Sequence, residues 1–166
     1  MRAVGLPGFN AASERTRMHM LYEVCSSPIW ARRVLAGAPF RDPDALYDRA
    51  DRVLAELPDA EIDAALDGHP RIGAAVDNPS SAREQARVTD ADDDVKARLA
   101  QKNREYENRF GYVYLVCASG RSAQELLDIL TDRLHNDADT ERRVMRSELA
   151  KINRLRLERL ISEPHE

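Results

Sequence analysis

Only one stretch of this chain reads as a β-strand. Tyr112–Cys117 (YVYLVC) is apolar, β-branched and aromatic. A strand needs a neighbour for its backbone N–H and C=O groups, so a lone strand builds no sheet. The segment must then be a buried extended run or the irregular start of a helix. Nearly all else follows helical spacing. The expected architecture is an all-α single domain over residues 1–166, a bundle of about seven or eight helices.

The pattern divides as follows. Asn10–Val24 places Met18, Leu21 and Tyr22 at helical spacing. Pro28 can open a short helix over Ile29–Leu35, and residues 37–41 (GAPFR) form a loop. Asp42-Pro43 is an N-cap followed by a first-turn proline; Leu46, Ala50, Val53, Leu54 and Leu57 then make one apolar face, and Pro58 stops it. Asp59 is expected to cap a short helix ending near Leu66, before the Asp67-Gly68 break. Residues 69–79 hold Gly73, two prolines and Asp77-Asn78, and read as loop. Helices are expected from about Ser81 to Val88 and from Asp92 to Arg109, the second ended by Gly111. Ser122–Leu134 opens with a Ser-x-x-Glu capping box, and Thr140–Ile161 is the last and longest helix.

Composition excludes several classes. The 166 residues carry 25 basic and 29 acidic side chains and are 43% hydrophobic, enough for a core and too apolar for disorder. The longest apolar run, Tyr112–Ala118, is far short of the roughly 20 residues that span a bilayer. No apolar h-region precedes Asn10, and two cysteines make no disulfide scaffold. The expectation is a soluble cytoplasmic protein with reduced thiols and no membrane partner. Net charge −4 suits nucleic acid poorly. The basic residues between Arg142 and Arg159 spread around their helix among glutamates, so no nucleic-acid partner is expected. There is no C-x-x-C, H-E-x-x-H or Gly-rich phosphate loop. The run Asp90, Asp92, Asp93, Asp94 mimics a calcium loop, but Val95 stands at the glycine position and Gln101 at the final glutamate. It reads as a helix start, where carboxylates suit the macrodipole. No metal site is expected.

Three places can carry chemistry. His69-Pro70-Arg71-Ile72-Gly73 sets a histidine, suited to proton transfer near neutral pH, in a backbone restricted by proline. The bland alternative is a surface histidine at a turn. Ser81-Ala82-Arg83-Glu84-Gln85 reads first as a capping box, the same pattern as Ser122 and Glu125, although a helix N-terminus can also gather donors around a ligand. The third is in the last helix. At 100° per residue from Met145, Leu149, Ile152 and Leu160 fall at about 40°, −20° and 60°, and Arg156 at about 20° sits among them. Arg154 falls at about 180°, toward water. An inward guanidinium needs an anion, either an internal carboxylate or a bound one.

In order along the chain stand FN near the start, CSSPIWARRVLAGAPF, HPRIG, SAREQ, NREYENRFGYVYLVCASGRSAQELL and KINRLRLERL. This succession resembles the 2-oxo-4-hydroxy-4-carboxy-5-ureidoimidazoline (OHCU) decarboxylase family over residues 9–160, with the HPRIG form of its bacterial branch. The resemblance implies an all-helical fold and cofactor-free decarboxylation of OHCU to (S)-allantoin in urate degradation. It places catalytic roles on His69, Glu84 and Arg156. It places substrate contacts on Pro70, Ser81, Gln85, Phe110, Gly111, Leu115 and Val116. It implies a small-molecule substrate, no metal and no cofactor, and a homodimer, and it sets His69 and Arg156 around one dry cleft. The rival readings are a non-catalytic helical interaction module and an enzyme of the same fold acting on a related ureido compound.

Overall fold

The computed structural model describes residues 2–73, 79–89 and 91–164. Among them are ten helices and no strand: α1 (Gly5–Ala11), α2 (Glu14–Val24), α3 (Pro28–Leu35), α4 (Pro43–Glu56), α5 (Asp59–Leu66), α6 (Pro79–Glu84), α7 (Ala86–Thr89), α8 (Asp93–Phe110), α9 (Ala123–Arg133) and α10 (Ala138–Leu160). The all-α class is as expected, and the two extra helices have local causes. The single helix expected over Asn10–Val24 breaks at Ser13, whose extended backbone lets its hydroxyl cap the Thr16 N–H at 3.2 Å. What precedes the break is α1. The helix expected from Ser81 breaks at Gln85, because the next bond is the tight Val88 N–H to Gln85 carbonyl turn at 2.9 Å. One cap is also corrected: Pro58, not Asp59, is the N-cap of α5, and no side chain caps that helix. In the loop expected over 69–79, residues 74–78 lie outside those described, as does Asp90 of the acidic run.

The chain divides into two compact units, Met1–Gly68 with Ala150–Glu166, and His69–Leu149, so that the division falls inside α10. In the first unit, α2 packs on α3 and α3 on α4. Ser27 caps α3 and Asp42 caps α4, each through the N–H three residues on. The buried Trp30 donates its indole N–H to the Ala50 carbonyl at 3.2 Å, which satisfies a group that burial would leave costly. Asn10 ties the FN motif to the APF motif. Its amide takes the Phe40 N–H at 2.9 Å and gives to the Phe40 carbonyl at 2.8 Å, a side chain acting as a strand partner. No helix of the described residues is long and apolar enough to cross a membrane.

In the second unit, α8 packs along α9. Asp92 caps α8 through the Val95 N–H, so the acidic run is a helix start. Gly111 ends α8 in the left-handed region at φ 83°, with open space around it; conformation, not room, calls for glycine there. Tyr112–Cys117 is neither helix nor strand; Tyr114, Leu115 and Val116 are buried, and Tyr114 and Val116 join Ile72, Val88, Leu99 and the α9 leucines in one core.

Candidate active site

His69 and Pro70 are half-buried at the start of the second unit. The next residues are fastened one after another. Arg71 grips the Glu107 carboxylate with both arms of its fork, at 2.6 and 3.2 Å. The Ile72 carbonyl accepts from the Asn103 amide at 3.0 Å, and the Gly73 N–H donates to Gln85 Oε1 at 3.0 Å. Gly73 needs its φ of 88° to make that turn. The exposed Arg71 fork contributes little stability, but it limits where the turn can go.

Ser81, Glu84 and Gln85 are all buried. The capping reading of Ser81 and Glu84 fails here. Because α6 starts at Pro79, Ser81 lies inside the helix, and its carbonyl accepts the Gln85 N–H at 3.0 Å. Proline suits the first helical position because its missing N–H would be unpaired there anyway. Ser122 and Glu125, by contrast, form a complete capping box at the surface.

Phe110 and Gly111 close α8, and Leu115 and Val116 follow in the segment between α8 and α9, both buried. With no ladder, side chains hold this backbone. Arg133 Nη1 donates to the Leu115 carbonyl at 2.7 Å, the Cys117 N–H donates to Glu148 at 3.2 Å, and the Tyr114 hydroxyl anchors on the Leu126 carbonyl at 3.0 Å. Arg133 is itself ion-paired to the fully buried Glu141, which also accepts from the Tyr106 hydroxyl at 2.6 Å and the Asn136 amide at 3.0 Å. Burial, and then the bond to Glu141, raises the Tyr106 phenol well above its ordinary value. Burial works against charge on Arg133, but Glu141 more than offsets it and its pKa is raised. The sequence reading missed Arg133, Glu141 and Glu148. The wheel that selected Arg156 held a signal, since Glu141 and Glu148 fall at about −40° and −60° on the same buried face.

Arg156 belongs to the first unit. Its side chain points inward as the wheel requires, is 3% exposed, and donates to the Val24 carbonyl at 3.1 Å. It lies near Cys25, whose thiol burial pushes up to about 11 against the opposing pull of Asn153 and Arg156. Arg154 is not simply turned to water. It lies 3.8 Å over the Tyr47 ring and pairs with Glu158. The structure thus joins the His69 turn, Ser81–Gln85 and the 110–116 segment within one unit through the Gly73–Gln85 bond and a shared core, and places Arg156 in the other. Among the described residues, no group of three His, Cys, Asp or Glu could hold a metal ion.

Known proteins match this chain at both levels. The family model described as OHCU decarboxylase matches residues 10–158. The chain is 30% identical to 2-oxo-4-hydroxy-4-carboxy-5-ureidoimidazoline decarboxylase of Amia calva over 144 residues, 82% of each protein. It is 27% identical to the uric acid degradation bifunctional protein TTL of Arabidopsis thaliana over 148 residues, 84% of this chain but 45% of that one. In fold it is similar to a crystal structure of OHCU decarboxylase in the presence of (S)-allantoin, with TM-score 0.76, 24% identity, and coverage of 86% of this chain and 96% of that one. A crystal structure of (S)-allantoin synthase gives TM-score 0.75 at 14% identity, covering 95% of this chain and 54% of that one. With the family model spanning nearly its whole length, and the residues that carry the resemblance standing in order, the chain belongs to the OHCU decarboxylase family.

Proposed function

We propose that this protein decarboxylates OHCU to (S)-allantoin without a cofactor, as a step of urate degradation. The observation that carries the reading is the Gly73 N–H to Gln85 bond, which ties the His69 turn to the buried Ser81–Gln85 helix end. The substrate's carboxylate leaves a ring carbon that also bears a hydroxyl, beside a carbon doubly bonded to nitrogen. The electrons of the breaking C–C bond flow into that C=N and give an enediamine-like intermediate. The substrate is its own electron sink, so the protein's work is placement and proton management.

In this reading His69 hydrogen-bonds the hydroxyl and carries its proton, while Pro70 packs on the ring. Glu84 accepts from imidazole or ureido N–H groups, and Ser81 adds a hydroxyl. Gly73 occupies Gln85 Oε1, so the amide offers Nε2 as its donor. Phe110, Gly111, Leu115 and Val116 supply an apolar wall and backbone groups. Arg156 anchors an anionic or carbonyl oxygen. One proton delivered to a single face of the ureido-bearing carbon sets the product's hand. A cytoplasmic setting fits the free thiols of Cys25 and Cys117, and light scattering tests the homodimer.

The test is freshly generated OHCU followed by circular dichroism. The wild type should outpace spontaneous decay and yield optically active allantoin. His69→Asn should lose about 10²–10⁴-fold in rate with its melting curve unchanged. Racemic product at the spontaneous rate would refute the assignment.

A further inference from the structure

We propose that Arg133, held by Glu141, is a positioning residue: it orients and polarises the Leu115–Val116 peptide so that the Val116 N–H stands as a preset donor to the substrate. The inference rests on the reading above that this segment meets substrate. The donor's orientation follows from peptide geometry. Leu115–Val116 is a trans peptide, so the Leu115 carbonyl and the Val116 N–H lie in one plane and point opposite ways. Arg133 holds the carbonyl at 2.7 Å, which turns the N–H directly away from the guanidinium. The described residues make no hydrogen bond to that N–H, and Val116 is 3% exposed. Buried N–H groups are almost always paired, so this one is set to receive an acceptor.

The same peptide is polarised. Tyr106 and Arg133 both bond Glu141 Oε1, and Asn136 bonds Oε2. Arg133 then gives a charge-assisted bond to the peptide oxygen, which draws electron density from the N–H and strengthens it as a donor. The Tyr106 and Tyr114 rings lie 5.8 and 5.0 Å from the guanidinium and restrict its motion. Stability alone does not account for the pair, because well-packed apolar residues commonly serve a core as well as a buried ion pair does. A donor fixed in advance costs no reorganisation when electron density builds on the substrate ring.

The experiment uses the full chain, with kinetics on fresh OHCU, thermal melts and the Val116 amide signal by NMR. In the wild type, (S)-allantoin should shift the Val116 amide proton. Glu141→Gln keeps the shape and removes the charge. It should lower kcat about tenfold, leave KM within about threefold, and move the Val116 amide in the free protein. Arg133→Lys should act in the same direction. Tyr106→Phe spares the ion pair, and should move the amide less and cost about two- to threefold in kcat; it carries the test if the charge variants do not fold. Folded variants with wild-type kcat and an unmoved Val116 amide would overturn the positioning role. A wild type that fails to outpace spontaneous decay would overturn the reaction, and the donor role with it, whatever the amide shows.

Discussion

Ser81 with Glu84 and Ser122 with Glu125 share one spacing and end in opposite surroundings. At α9 the Ser122 hydroxyl accepts the Glu125 N–H at 3.2 Å, the Glu125 carboxylate accepts the Ser122 N–H at 3.3 Å, and Glu125 is more than half in water. The pair satisfies two of the N–H groups that every helix start leaves open. At α6 the helix has already begun at Pro79, so the serine no longer stands at an end and both side chains are buried. A buried hydroxyl and carboxylate cost free energy unless their hydrogen bonds are met. One spacing therefore starts a helix at the surface at α9 and lies buried inside a helix at α6.

The largest expected effect separates the two glutamates directly. Glu84→Gln should lower kcat/KM by about 10²–10³-fold with little change in melting, while Glu125→Gln should turn over at the wild-type rate. Equal activity in both would break the contrast. The arginines of α10 give the next test. Arg156→Lys keeps the charge but loses the fork, and turnover should fall about 100-fold. Arg154→Ala removes the cation over Tyr47 and should cost about 0.5–1 kcal/mol in urea unfolding with turnover intact. Similar losses at both positions would refute the helical wheel.

Smaller effects concern stability alone. Ser122→Ala should cost about 1 kcal/mol without touching turnover, by equilibrium unfolding beside the activity assay. The smallest is a pH effect. Backbone and side-chain bonds with Ser122 hold the Glu125 carboxyl below its ordinary value. A lowered folded-state pKa means that this stabilisation is present above the unfolded carboxylate value and disappears as pH falls through the folded one. Glu125→Gln should thus narrow the gap in unfolding midpoint between neutral and acid solution. A gap unchanged by the substitution would remove Glu125 from the acid response.

What could be read in advance divides by the range of the interaction. Asp42-Pro43 and Ser122 were legible as caps because a cap joins residues three apart. The inward aim of Arg156 was legible because helical periodicity alone sets which side of α10 is dry. That Gln85 would fasten Gly73 was not, since the two stand twelve residues apart. Nor was Arg133, whose acceptor is a carbonyl in a segment that precedes its own helix. The His69 turn was recognised from HPRIG, but its three fastenings come from Glu107, Asn103 and Gln85, none within the motif.

The amino-acid order alone determined that this chain is helical, where most of its helices begin, and which family it resembles. These depend on neighbours within a turn or on a period of residues, and both are written locally. Only the tertiary structure decided which serine–glutamate pair is dry, which carboxylate neutralises Arg133, and how a ladderless strand-like run stays in place. Burial and long-range pairing depend on segments that meet only when the core closes, and no local spacing records that meeting.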